Sequence, residues 1–260
     1  MSRARGLARF GIEYAVVCHR GFLREKNQDN FWCGGAYLEC ENNGLPNMLV
    51  GVADSVSRPA FAVFDGLGGE TAGELASWLA ARTFDDAIPF RYEKEEGLFL
   101  KDVFGRMNNS ISEYADSQHI GNMGTTGAAI IFGEDSVSVC SLGDSSIYLH
   151  RDGKLVKLSE DHVAGSGRTG RPCLTQFLGI PEKEFCIEPF FARREIHAGD
   201  RFLLCSDGLT DMLPDKQIEA ELSSSGNPAR AAEGLLAGAL GEGGKDNITL
   251  VICDVGGEKR

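Results

Sequence analysis

The feature that most constrains this chain is a series of short apolar runs, each five or six residues long and rich in β-branched or aromatic side chains. They fall at 12–17 (IEYAVV), 48–53 (MLVGVA), 60–64 (AFAVF), 127–132 (GAAIIF), 136–141 (SVSVCS), 145–150 (SSIYLH), 154–158 (KLVKL), 201–205 (RFLLC) and 248–253 (ITLVIC). That composition predicts strands. Many are separated by Gly or Asp turns, and the RDGK step at Arg151 to Lys154 is a hairpin signal. Helical periodicity is confined to 70–84, 96–118, 214–222 and 227–240; in the first, Ala72, Leu75, Ala76, Leu79 and Ala80 make one apolar stripe. There are too many short, turn-linked strands for a regular alternation of strand and helix. Strands covered by segregated helices predict an α+β layered sandwich.

No Pro/Ser-rich linker or change of composition divides the 260 residues, 42% of them hydrophobic, so one domain over 12–255 is expected, with 1–11 as an N-terminal segment and 256–260 as a tail. The net charge of -12 argues against nucleic acid, because binding a phosphate backbone needs clustered Lys and Arg. It suits a divalent cation. The eight cysteines show no C-x-x-C pair, and those in SVSVCSL, FLLCSD and LVICDV read as small buried hydrophobes, so a reduced, cytoplasmic protein is expected. No apolar stretch has the length of a membrane span, and MSRARGLARF is followed by no signal-peptide core, so no membrane contact is expected.

Asp65, Asp207 and Asp246 each sit beside a small or turn-forming residue at the edge of an apolar run, in AFAVFDGLGGE, RFLLCSDGLTD and GGKDNITLVICDV. Carboxylates at strand ends can converge on one hard cation at a sheet rim. An Asp-Gly step alone is most often a turn. Six blocks in order carry more: NQD (27–29), VFDGLGGE (63–70), GTT (124–126), GDSS (143–146), SDGL (206–209) and KDNIT (245–249). With these the chain resembles a bacterial-type member of the metal-dependent protein phosphatases, the type 2C serine/threonine phosphatases, from about Tyr14 to Val255.

The resemblance implies a four-layer α-β-β-α sandwich of two packed antiparallel sheets with a binuclear metal site at one rim. It implies Mn²⁺ or Mg²⁺, two per chain, and hydrolysis of phosphoserine or phosphothreonine in proteins by a metal-activated water. Hard cations of this kind take oxygen ligands, and the chain offers Asp without a His cluster. By the same resemblance Asp65 bridges both ions, the Gly66 carbonyl binds one, Asp207 and Asp246 complete the pair, and Asp29 holds their waters from behind. Arg24 matches the arginine that clamps substrate phosphate, a task for a guanidinium fork. Asp144 and Asp211, with Asp207, match a weaker third metal site, although G-D-S is also common at turns and caps. Thr125 and Thr126 read as sheet supports, and His162 as a residue that positions substrate or waters rather than as the general acid.

Partners implied are a phosphoprotein substrate and a cognate serine/threonine kinase, with the phosphatase itself a monomer. Two other readings stay open here: a catalytically silent phosphoprotein-binding relative, and a phosphatase of small phosphate esters. A cysteine-dependent phosphatase is disfavoured because no C-x₅-R loop follows Cys205, and Ser206 lacks the G-x-S-x-G elbow. The sequence departs from the family at Ser146 and Gln176, where Arg is common, in the short stub VAGSGRTGRPC after His162, and in a long 41–60 stretch. Gly165, Gly167 and Gly170 predict a mobile stub, with Arg168 and Arg171 available to an acidic peptide.

Overall fold

The computed structural model describes residues 10–67, 72–121, 123–165 and 173–258. In chain order the elements are β1 (Phe10–His19), β2 (Asp29–Cys33), β3 (Leu49–Asp54), β4 (Ala60–Leu67), α1 (Gly73–Ala87), α2 (Glu96–Gln118), β5 (Gly124–Thr125), β6 (Gly127–Phe132) and β7 (Ser136–Leu142). There follow β8 (Ser146–Arg151), β9 (Lys154–Lys157), β10 (Val163–Ala164), β11 (Cys173–Leu174), β12 (Phe190–Glu195), β13 (Arg201–Cys205), α3 (Asp207–Thr210), α4 (Asp215–Ser224), α5 (Pro228–Gly241) and β14 (Ile248–Glu258). One antiparallel sheet runs β3-β1-β14-β13-β8-β9, and the other β12-β7-β6-β4-β2 with β5 paired to β4.

Strand periodicity explains the layers. Side chains alternate between faces, so on β4 Phe61 and Val63 enter the core between the sheets while Ala62 and Phe64 meet α1 and α2. Both faces of that strand are covered, which is why AFAVF is apolar at every position. The inter-sheet core is completed by Ile12, Val16, Phe132, Val139, Phe202 and Val251. Rings of Phe132 and Phe202, one from each sheet, meet edge to face at 5.5 Å. A third cluster packs Ala15, Leu203 and Ile252 under Ile218, Ala231 and Leu235 of α4 and α5. The order is therefore helices, sheet, sheet, helices, the expected α-β-β-α sandwich.

Several boundaries differ from the sequence reading. β2 and β12, with the two-residue strands β5, β10 and β11, fall outside the runs read as strands. β1 begins at Phe10 and pairs with β14 as far as Glu258, so both strands enter the segments read as termini. The first helix starts at Gly73; residues 68–71, which include Gly68 and Gly69 of GLGGE, lie outside the described residues. The second occupies 96–118 as expected, capped by the Glu95 carboxylate on the Leu98 amide and ended by left-handed His119. At the RDGK hairpin Asp152 and Gly153 both adopt positive φ, 53° and 73°, which two-residue hairpin turns require. Among the described residues no helix is long and apolar enough to cross a membrane.

Candidate active site

The site is built by register. β2 pairs with β4 so that Cys33 faces Phe61, Phe31 faces Val63 and Asp29 faces Asp65. Phe31 and Val63 lie in the inter-sheet core, so the two aspartates, of the same parity, end that row at its rim. In the other sheet Ser206 donates its amide to the Thr249 carbonyl at 3.0 Å, just beyond the last β13–β14 pair. Asp207 then opens α3, and Asp246 stands two residues before β14. A Cβ on Gly208 would fall 1.9 Å from the Asn247 carbonyl oxygen; glycine permits this approach between the two aspartate-bearing turns. Asp144 occupies the β7–β8 turn after Gly143, whose φ is 98°.

Hydrogen bonds fix the backbone that carries these groups. Asp65 donates its amide to Thr126 Oγ1 (3.0 Å), and its carbonyl accepts from the Thr126 amide and Thr125 Oγ1, each at 2.8 Å. Thr126 Oγ1 also lies 2.6 Å from Ser145 Oγ. The two threonines are sheet supports, as expected. Gly66 donates to the Gln28 carbonyl at 3.1 Å, and a Cβ there would meet the Gly73 carbonyl at 2.1 Å, so the position excludes any side chain. Asp29, 1% exposed, accepts from Ser206 Oγ at 2.8 Å, and Ser206 Oγ in turn accepts from the Thr249 amide at 3.0 Å. His162 bridges the Gly143 amide at Nδ1 and the Glu188 carbonyl at Nε2, both at 3.3 Å, tying the Asp144 turn to the 188 segment.

The cluster is electrostatically stressed. Burial first, then Asp246, pushes Asp29 up to about 7, against hydrogen bonds from Ser206 and Thr249. Asp207 is also pushed up to about 7, by burial and then by Asp144, Asp246 and Asp211. Asp65 keeps some exposed surface, yet the surrounding chain desolvates it, and Asp29, Asp207, Asp144 and Asp246 hold it well above the usual carboxylate range. Asp144 is raised chiefly by burial. Arg24 reaches into this field: its Nη2 lies 2.6 Å from Asp246 Oδ2, and Asp65 and Asp207 add to the pull that raises its pKa.

Asp29, Asp65, Asp144, Asp207 and Asp246 therefore share one electrostatic neighbourhood, with exposed Asp211 acting on Asp207 from its margin. Their side chains do not close on an ion: among the described residues no group of three or more His, Cys, Asp or Glu forms a ready-made metal cluster. Asp29 is turned to Ser206 and Asp246 to Arg24. The donor set nevertheless fits a hard cation. It is all oxygen, and several mutually repelling carboxylates face one arginine, so charge neutralisation is the interaction it lacks.

Comparison with known proteins decides the family. The family model described as Protein phosphatase 2C matches residues 47–235. The chain belongs to the protein phosphatase 2C family. The serine/threonine phosphatase stp of Listeria monocytogenes is 30% identical over 251 residues, covering 90% of this chain and 92% of the relative. The serine/threonine protein phosphatase PstP of Mycobacterium tuberculosis is 31% identical over 259 residues, 94% of this chain and 45% of that longer protein. The crystal structure of PstP from M. tuberculosis superposes with a TM-score of 0.78 at 28% identity, covering 95% of this chain and 99% of that one. The PstP catalytic domain in complex with two manganese ions gives 0.76 at 29%, with the same coverage.

In this protein phosphatase 2C member the residues at the two arginine departures make local hydrogen bonds. Ser146 bonds the Asp144 carbonyl at 3.4 Å, and Gln176 Oε1 accepts the Glu188 amide at 2.7 Å. The stub after His162 starts and ends as the two-residue ribbon β10–β11. Gly167, Arg168, Gly170 and Arg171 lie outside the described residues, and Gly165 has φ of 60°. Sequence reading missed Ser206, Thr249, Ser145 and Asn247 as parts of the site. Their one signal is a small polar residue at the end of a buried apolar row.

Proposed function

We propose that residues 12–255 act as one catalytic unit that hydrolyses phosphoserine and phosphothreonine in proteins with Mn²⁺ or Mg²⁺. The observation that carries this reading is the neighbourhood of desolvated, mutually repelling aspartates with Arg24 among them, on the fold of a family whose relatives are named serine/threonine phosphatases. Two ions are proposed, as in the manganese complex of PstP. Asp65, the Gly66 carbonyl, Asp207 and Asp246 would hold them, Asp29 would support from behind, and Asp144 with Asp211 would serve a weaker third site. When bound, the ions supply an activated water and neutralise phosphoryl charge.

The chain's own residues supply position and charge. Thr125 and Thr126 keep the Asp65 backbone fixed, so its carboxylate direction is set before substrate arrives. Arg24 exchanges its partner Asp246 for phosphate oxygens and orients the phosphorus. The cysteines take no part: burial pushes Cys18 and Cys205 up to about 12, far from a thiolate nucleophile at neutral pH. We further propose a cytoplasmic monomer that opposes a serine/threonine kinase, without nucleic-acid or membrane partners, and that gains selectivity from docking away from the rim. The 41–60 stretch supports the last point. Its strand β3 and Ser57 to Ala60 line a cleft of about 500 Å³ with Tyr14, Trp32 and Phe61, at the end of β4 opposite Asp65.

A time course on a phosphothreonine peptide with Mn²⁺, Mg²⁺ or chelator tests the reading. Turnover only with metal is expected. Binding without turnover would make the protein a scaffold, and turnover of small esters alone would exclude a protein substrate.

A further inference from the structure

Residues 20–28 leave β1 at His19 and return to the sheets at Asp29, with Arg24 near the apex. An apex arginine would lose much conformational freedom on binding phosphate unless its loop were already fixed. One residue ties both arms of the loop. Asn247, 4% exposed, donates through Nδ2 to the Arg20 carbonyl at 2.8 Å and the Lys26 carbonyl at 2.9 Å, and its Oδ1 accepts the Gln28 amide at 2.8 Å. Every polar atom of the amide is spent on this loop, on both sides of Arg24. The backbones also lie close. Phe22 donates to the Gly244 carbonyl at 2.7 Å, and Gly21, with φ of 77°, passes where a Cβ would stand 2.1 Å from the Asp246 carbonyl oxygen. The Asn247 amide itself donates to Asp246 Oδ1 at 2.9 Å. One residue thus holds the arginine loop with its side chain and the neighbouring aspartate with its backbone.

We propose that Asn247 is a positioning residue for recognition of the substrate phosphate: it touches no substrate and acts by holding Arg24 over the aspartate cluster. The proposal rests on the reading of Arg24 given above. Replacement Asn247→Asp keeps the acceptor for Gln28 and sets an oxygen against the Arg20 and Lys26 carbonyls. Asn247→Ser keeps one hydroxyl and adds no charge.

The test measures kcat, KM and the Mn²⁺ activation midpoint on a phosphothreonine peptide for wild type, Arg24→Ala, each Asn247 variant and the doubles with Arg24→Ala. Either Asn247 change is expected to raise KM roughly fivefold or more, the equivalent of at least one lost neutral hydrogen bond, with kcat unchanged and, in the uncharged Asn247→Ser, the Mn²⁺ midpoint unchanged as well. In the Arg24→Ala background it should add nothing, because its target is gone. Additive losses, a shifted Mn²⁺ midpoint in Asn247→Ser, or failure of both variants to fold would each overturn the proposal in favour of a structural role. Arg24→Ala with unchanged KM would instead overturn the reading of Arg24, and the positioning role with it.

Discussion

At the scale of single residues, the site depends on like charges held where water cannot screen them. Asp29 and Asp207 are each pushed up to about 7, so metal-free protein shares protons among its aspartates near neutral pH. Arg24 is the opposing charge, and it is fit for exchange: its side chain is 48% exposed while Asp246 is 15% exposed. Arg24→Ala should raise KM for phosphopeptide more than it lowers kcat, with a loss of about 1.5–3 kcal/mol in kcat/KM, the range for a hydrogen bond to a charged group. Steady-state kinetics at saturating Mn²⁺ check this, and an unchanged KM would leave the guanidinium as a partner of Asp246 alone. Thiol chemistry gives a second check. Cys173 and Cys186 are exposed, whereas Cys18, Cys33, Cys140, Cys205 and Cys253 are buried. Brief alkylation should label the exposed pair without loss of turnover, and inactivation in step with labelling would point to a cysteine mechanism.

At the scale of elements, each aspartate is aimed by the strand or turn beneath it. Thr126 carries the largest share for Asp65, since its hydroxyl accepts the Asp65 amide inside a buried ladder. Thr126→Val keeps the shape and strands that amide and Ser145, so it should cost about 1–3 kcal/mol of stability and lower turnover below the new melting temperature. Retained stability with full turnover would remove Thr126 from the support of the site. Elements were legible in sequence where period and cap agreed, as in α2. β2 was hidden because its polar Asp29 and Asn30 break the apolar pattern of a buried strand. In the fold they are buried, and Asn30 is satisfied by both backbone groups of Leu38. Its discovery supplies the cross-strand pair Asp29–Asp65, which spacing along the chain could not show. β12 was hidden by Arg193, Arg194 and Glu195, charges that an edge strand tolerates. The clustered aspartates were legible because Asp-Gly and Asp-Asn steps mark strand ends; their supports were not, because Ser206, Thr249 and Asn247 matter only through contacts across the two sheets.

At the scale of the whole molecule, two sheets bury a shared core and gather mutually repelling carboxylates at one rim. The pH dependence of stability follows. Asp29 and Asp207 titrate near 7 when folded and near the ordinary carboxylate value of about 4 when unfolded. Between those values the folded state binds more protons, so stability in chelator should increase as pH falls from 8 to 6 and be lost as pH rises through 7. Saturating Mn²⁺ should flatten this slope, because ligation competes with protonation. Calorimetric melting at a series of pH values with and without Mn²⁺ would show both effects, and equal slopes in the two conditions would separate the carboxylates from metal binding. The most direct measurement is kcat of Asp65→Asn on a phosphothreonine peptide at saturating Mn²⁺, with the fold checked by circular dichroism. A folded protein without turnover is expected. A folded variant with near wild-type kcat would contradict this expectation.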